Sequence, residues 1–388
     1  MQNFTYHIPT KIYFGKGQIS ALSQELKSRA KKILIVTGGG SVKKYGIFDD
    51  VLKEVKKAKI SYIELSGVKP NPRLKSVYKG IDICKKEGVD LVLAVGGGSV
   101  IDAAKTIAAG VKYKGDVWDF FENDVACTAS LPVATVVTLA ATGSEMDTFA
   151  VITREDTQQK LAFGSETSRP VFSILDPEYT YSVNEYHTAA GIADIMAHVF
   201  EEYFSNYSGA AVSDRIAEGL LKVCIQYGPV TCEKPRDYIA RANILWANTL
   251  AINDLLDMGK VGDWASHAIE HEVSAIYDIS HGVGLAIIVP NWMKFTLSQK
   301  TVKKFAEYGV NVWGIKKDKD EMKIASAAID RTRNFFNSLG LPSKLSEVNI
   351  KGDRFAEMAK KAITSHGQVG SFKKLSEKDI VEILKMSL

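Results

Sequence analysis

The chain of 388 residues holds only seven histidines, and three of them, His267, His271 and His281, fall within the stretch GKVGDWASHAIEHEVSAIYDISHGVGLAIIVP from Gly259 to Pro290. His267 and His271 stand four residues apart, so on a helix their imidazoles project from one face, close enough to serve one site. Asp194 and His198, in GIADIMAHVFEEYF, repeat that spacing upstream. Imidazoles with a carboxylate suit a divalent cation such as zinc or iron, each of which accepts nitrogen and hard oxygen donors. A single histidine pair of this kind is more often a solvated helix face or a hydrogen-bonded core pair. Two pairs plus His281, set in apolar helix faces, favour a shared cation, because buried polar groups need partners.

These groups must be positioned, and the first half of the chain reads as the frame of a second site. Lys32 to Thr37 (KILIVT), Ser61 to Leu65 (SYIEL) and Asp90 to Val95 (DLVLAV) read as buried strands separated by helical stretches, the pattern of βα units around a parallel sheet. GGGSV follows the first strand at 38 to 42 and recurs at 96 to 100. A glycine-rich turn from strand into helix lets backbone N–H groups approach a phosphate. The second copy, GGGSVIDAAK, with Gly97, Gly98 and Ser99, runs straight into a helix and is the better pyrophosphate cradle. Such glycines can also merely permit a tight connection, and neither copy is the G-x-G-x-x-G fingerprint. Leu131 to Leu139 reads as a further strand, followed by Ala140 to Glu145, whose hydroxyls suit a ligand or a helix cap. Val151 to Leu161 and Pro170 to Leu175 read as a hairpin or two edge strands closing this half.

From Asp176-Pro177 onward amphipathic helical patterns dominate to Leu388. The expected architecture is therefore an α/β, Rossmann-like dinucleotide-binding domain with a parallel sheet over 1–176, an all-helical metal-binding and substrate domain over 177–388, and a cleft between them. The net charge of +4 comes from interspersed signs, as in KKDKDEMK, which argues against nucleic-acid or membrane binding. Four cysteines without C-x-x-C spacing, no signal-peptide pattern and no long apolar run point to a soluble cytoplasmic protein.

Taken together and in order, PTKIYFGKG, GGGSVKKYG, PNPRL, AVGGGSVIDAAK, TLAATGSEMD, the 187 to 201 helix and GDWASHAIEHEVSAIYDISHG resemble the iron-containing (metal-dependent) alcohol dehydrogenase family, and within it the butanol dehydrogenase branch. The resemblance spans essentially the whole chain. It implies Asp194, His198, His267 and His281 as ligands of one iron or zinc ion, and His271 as a catalytic histidine near the nicotinamide and the reacting carbon. It further implies cofactor contacts by Gly97, Gly98, Ser99, Asp102, Thr138, Thr142, Lys160 and Asn71. Where NAD-preferring relatives carry an aspartate after the first strand this chain has Gly39, and Ser41, Lys43 and Lys44 stand ready for a 2′-phosphate. NADP(H) is thus the expected cofactor, with NAD(H) also allowed.

The resulting expectation is reversible hydride transfer between that cofactor and a primary aliphatic alcohol or aldehyde such as butanol or butanal, by a homodimer that pairs through PTKIYFG. Two readings compete with it. A lyase or cyclase like the dehydroquinate synthases would need more basic residues for an anionic substrate, whereas Trp264, Ile269, Val273 and Ile276 near the histidines are apolar. A non-catalytic binding protein leaves the extra His271 without purpose.

Overall fold

A computed structural model of the chain describes residues 1–123 and 125–388. Its elements run β1 (Lys11–Phe14), α1 (Leu22–Lys27), β2 (Lys32–Thr37), α2 (Ser41–Lys44), α3 (Ile47–Ala58), β3 (Ser61–Leu65), α4 (Leu74–Glu87), β4 (Leu91–Gly96), α5 (Gly98–Lys112), α6 (Asp119–Glu122), β5 (Val133–Val137), β6 (Phe149–Arg154), β7 (Gln159–Gly164) and β8 (Phe172–Leu175). Helices follow: α7 (Glu185–Tyr203), α8 (Ala211–Glu233), α9 (Tyr238–Ala251), α10 (Ala265–Tyr277), α11 (His281–Thr296), α12 (Val302–Asn311), α13 (Glu321–Ser338), α14 (Phe355–His366) and α15 (Glu377–Met386).

Six strands form one parallel sheet in the order β1-β8-β5-β4-β2-β3. The continuous apolar runs of β2 and β4 are explained by burial on both faces. Leu34, Val36, Val92 and Ala94 pack with Val77 and Ile81 of α4 and Ile101 and Ile107 of α5. Ile33, Ile35, Leu91 and Leu93 alternate to the opposite face, against Leu22 and Leu26 of α1 and Val51 and Val55 of α3.

One expectation needs correcting. Pro170 to Leu175 is neither an edge strand nor half of a hairpin: β8 is fully buried between β1 and β5, and the sheet edge on that side is β1, within PTKIYFG. The hairpin is β6–β7 alone, antiparallel, with Thr153 opposite Lys160. Among the described residues no helix is long and apolar enough to cross a membrane.

The chain divides into two compact units: His7–Asn184 with Pro235–Thr249, and Met1–Tyr6 with Glu185–Lys234 and Leu250–Leu388. The division therefore falls later than Asp176-Pro177 and is discontinuous, since most of α9 belongs with the sheet. Asn248 there accepts from the Gly143 amide (3.0 Å) and donates to Glu145 (2.8 Å), and Thr249 donates to the same Glu145 oxygen (2.6 Å). Burial pushes the Glu145 carboxyl up to about 7.

Inside the α/β unit, Lys105 of α5 is entirely buried and donates to the Asp147 carboxylate (2.5 Å) and to the Phe149 carbonyl (2.8 Å). Breaking a buried pair from one side leaves an uncompensated charge, so Lys105→Met is expected to cost about 3–5 kcal/mol of unfolding free energy, read from a urea midpoint.

Candidate metal centre and nucleotide-binding edge

The helical unit assembles the four expected ligands from three helices. Asp194 and His198 lie one turn apart on α7, His267 lies in the first turn of α10, and His281 is the first residue of α11. All three imidazoles converge on one carboxylate oxygen: His281 Nε2 is 3.6 Å from Asp194 Oδ1, His198 Nδ1 is 3.7 Å away and His267 Nε2 is 4.0 Å away. Such separations are long for hydrogen bonds, but ligands bound tetrahedrally at about 2.1 Å from a common ion stand roughly 3.4 Å from one another.

Nδ1 of His198 has no hydrogen-bond partner among the described residues. Burial first, and then His267 beside it, hold the His198 ring well below the usual imidazole range, which favours the neutral ring with a lone pair on one nitrogen. A buried, neutral nitrogen facing a carboxylate without bonding to it is what a ligand to a cation looks like. The residues fit a divalent metal.

Two carboxylates that sequence reasoning missed back this set. His267 Nδ1 bonds Glu201 at 2.9 Å, and His281 Nδ1 bonds Glu270. Glu201 of α7 also accepts from the His267 amide (3.0 Å), so it caps a helix whose own cap residue, Trp264, offers no side-chain bond and sits at φ 60°. Burial pushes Glu201 up to about 8 against the pull of the His267, Trp264 and Ser266 amides. Glu270 receives the Ser274 hydroxyl on its other oxygen. Periodicity held the signal: Glu201 follows His198 by three residues and Glu270 follows His267 by three, each one turn along the same face.

His271 is buried one turn beyond His267, with ring centroids 6.3 Å apart, and its ring centroid is 5.4 Å from that of His281. Its donor atoms group with those of Glu270 and His281, and His281 also belongs to the group of Asp194 and His267; His198 stands outside both groups, facing Asp194 at 3.7 Å. Trp264 forms a wall, its ring 5.3 Å from that of His267 and 6.3 Å from that of His198. Ile269 and Val273, by contrast, are spent in helix packing, at 1% and 0% exposure.

In the α/β unit the register Gly96↔Val137 sets the C-terminal ends of β4 and β5 side by side, and the Thr138 amide bonds the Gly96 carbonyl (3.0 Å). Gly97 caps α5 in an extended conformation, and Gly98 and Ser99 begin the helix. A Cβ on Gly98 would overlap the Thr142 side chain, so glycine is what allows this loop and the helix start to touch. Gly97, Gly98, Ser99, Thr138 and Thr142 are thereby brought to one edge. Gly39 and Ser41 follow the neighbouring strand β2, whose Thr37 pairs with Val95 of β4.

Asn71 and Lys160 share a separate neighbourhood. The Pro72 carbonyl binds the Thr153 amide (2.8 Å), and Thr153 is the cross-strand partner of buried Lys160. Asp102 on α5 accepts from Ser144 Oγ (2.6 Å) and the Val151 amide (3.1 Å), so the carboxylate ties α5 to the loop that carries Thr142 and to β6. Burial pushes it up to about 6. Lys43, expected to face a 2′-phosphate, pairs with Glu64 at 2.7 Å.

Three imidazoles gathered at one carboxylate oxygen would hold a divalent cation for Lewis-acid work, the arrangement of a metal-dependent enzyme. Residues 9–177 match the family described as iron-containing alcohol dehydrogenase, and residues 188–388 match the C-terminal part of the Fe-containing alcohol dehydrogenase family. The chain belongs to that family. It is 53% identical over its full length to the whole of NADH-dependent butanol dehydrogenase A of Clostridium acetobutylicum. With the NADPH-dependent aldehyde reductase YqhD of Escherichia coli it shares 38% identity, over 95% of this chain and 94% of that one. Its fold superimposes on the crystal structure of NADH-dependent butanol dehydrogenase A from Thermotoga maritima with a TM-score of 0.96, at 38% identity over 100% of this chain and 99% of the other.

Proposed function

We propose that this chain catalyses reversible hydride transfer between NADP(H) or NAD(H) and a primary aliphatic alcohol or aldehyde such as butanol or butanal. The observation that carries the reading is the convergence of His198, His267 and His281 on Asp194 Oδ1 inside the helical unit. These four residues hold one divalent ion, iron or zinc, which when bound supplies a Lewis acid for the substrate oxygen. The nicotinamide supplies or accepts the hydride. Asp194 provides the one carboxylate ligand beside three imidazoles, and Trp264 presents an apolar wall that suits an uncharged substrate. Backbone N–H groups at Gly97 to Ser99 receive the pyrophosphate.

His271 exchanges a proton with the substrate oxygen. His271→Ala is expected to lower kcat for butanal roughly 10²-fold, the scale of a lost general acid, with metal content near wild type. Loss of the metal in that variant would show His271 to be a ligand instead. No turnover of any aldehyde with NADPH or NADH by the metal-loaded protein would favour a non-catalytic binding role.

On the cofactor, Ser41 and the missing carboxylate at 39 favour NADP(H), while the Lys43–Glu64 pair offsets part of that preference. Relatives named for each dinucleotide are consistent with use of both. A side chain at Gly39 would meet nothing within 4 Å, so Gly39→Asp is tolerated by the fold. It is expected to raise the NADPH dissociation constant about tenfold or more relative to that of NADH, because a carboxylate repels the 2′-phosphate. Nicotinamide fluorescence titration reads this directly, and an unchanged ratio would move the adenosine end away from position 39. The open edge of β1 suits pairing with a second copy, and four free cysteines suit a reducing cytoplasm.

A further inference from the structure

We infer that Glu270 is a positioning residue for the metal, holding His281 in the tautomer and orientation that direct Nε2 toward Asp194, and that Glu201 does the same for His267 while also fixing the start of α10. The inference rests on the ligand assignment proposed above and extends it to the carboxylates behind the ligands.

The two carboxylates form a chain of supports running across three helices. Glu201 of α7 bonds Nδ1 of His267 on α10, and Glu270 of α10 bonds Nδ1 of His281 on α11. These two of the three ligand imidazoles thus have the rear nitrogen held by the preceding helix and the front nitrogen turned toward Asp194. An acceptor at Nδ1 requires the proton there and leaves the lone pair on Nε2, the nitrogen that faces the carboxylate.

The two supports differ in how they are held. Glu201 has amide donors at the beginning of α10 as well as the imidazole, so its removal disturbs a helix end. Glu270 is completely buried and bonds the His281 ring and the Ser274 hydroxyl, two side chains rather than the backbone amides of a helix start. Nothing in that pattern serves a helix terminus. His281 is moreover the most exposed of the three ligand imidazoles, with 20% of its side chain accessible against 6% and 7% for His198 and His267. It is the ligand with least packing to orient it, and Glu270 supplies what packing does not.

The test loads apoprotein with cobalt(II) or zinc(II) and measures affinity by chelator competition, together with the cobalt ligand-field spectrum and the melting temperature of the apo form. Glu270→Gln keeps the shape but replaces the anionic carboxylate with a neutral amide, a weaker acceptor for the His281 ring with only one acceptor oxygen. It is expected to weaken cation binding about 10–100-fold and to change the cobalt spectrum while apoprotein melting stays near wild type. Glu201→Gln is expected to weaken binding and to lower apoprotein melting as well, because it uncaps α10. Should Glu270→Gln fail to fold, Ser274→Ala loosens the same carboxylate and is expected to weaken binding in the same direction by a smaller factor. Wild-type affinity and spectrum in a folded Glu270→Gln protein, or wild-type affinity in Ser274→Ala where Glu270→Gln does not fold, would overturn the inference. Asp194→Ala separates the two levels: if it too binds cobalt like wild type, the ligand assignment itself is wrong, whereas loss of cobalt there with full affinity in Glu270→Gln sinks only the role of Glu270.

Discussion

Replacing His267 with alanine is expected to remove the bound cation and the hydride transfer together. Its Nε2 is one of three nitrogens directed at Asp194 Oδ1, and His271, a turn further on, groups with Glu270 and His281 rather than with Asp194. The fold itself has reason to survive, since Glu201 keeps the backbone amide of residue 267 as a donor. Activity with butanal should fall roughly 10³-fold or more, the consequence of losing several kcal/mol of charge stabilisation at the substrate oxygen. Metal content by atomic spectroscopy should fall in parallel, while the exposed His187→Ala control retains both. A His267→Ala enzyme that is metal-free and fully active would refute the assignment.

Gly282→Ala is expected to be the most damaging small substitution in the helical unit. A Cβ at this position would fall on the carbonyl oxygen of Ala190 in α7, a backbone atom that cannot swing aside as a side chain can. Separation of α11 from α7 is the remaining way out, and Gly282 is adjacent to His281, whose Nε2 must stay 3.6 Å from an oxygen on that same α7. Overpacking of this kind costs about 3 kcal/mol, so a lowered urea midpoint and reduced metal content should appear together. Gly219 in α8 is the contrast: nothing lies within 4 Å of its added Cβ, and alanine there should stabilise by about 0.5–1 kcal/mol.

Local signals were legible where one element carried them. KILIVT and SYIEL coincide with β2 and β3, and the spacing of Asp194 with His198 survives as a shared helix face. The position of β8 was not legible, because four buried apolar residues read alike at an edge and in the middle of a sheet, and its neighbours β1 and β5 are distant in sequence. His281 has no helical relation to His267, since Asp278 at φ 52° ends one helix before His281 begins the next. Its place in the same short stretch singled it out and the resemblance made it a ligand; periodicity does not reach across that turn. Glu201 and Glu270 were overlooked for a different reason: a helix carboxylate ordinarily faces water, and since Glu202 and Glu272 are buried as well, only the bonds to Nδ1 of His267 and His281 distinguish these two. Asp102, expected at the cofactor, also has a structural part that spacing does not reveal, since its oxygens accept from Ser144 and Val151.

The return of residues 235–249 to the sheet limits how this protein can be taken apart. A fragment cut after Asn184 would contain every strand, yet it would lack Asn248 and Thr249 and so strand the Gly143 amide and the Glu145 carboxyl, both interior groups, in the loop beside Thr142. Excising the helical half is no simpler, because its segments are interrupted by the same return. No single truncation yields either half intact, and a minimal dinucleotide-binding fragment would have to be built by splicing 235–249 back onto 7–184.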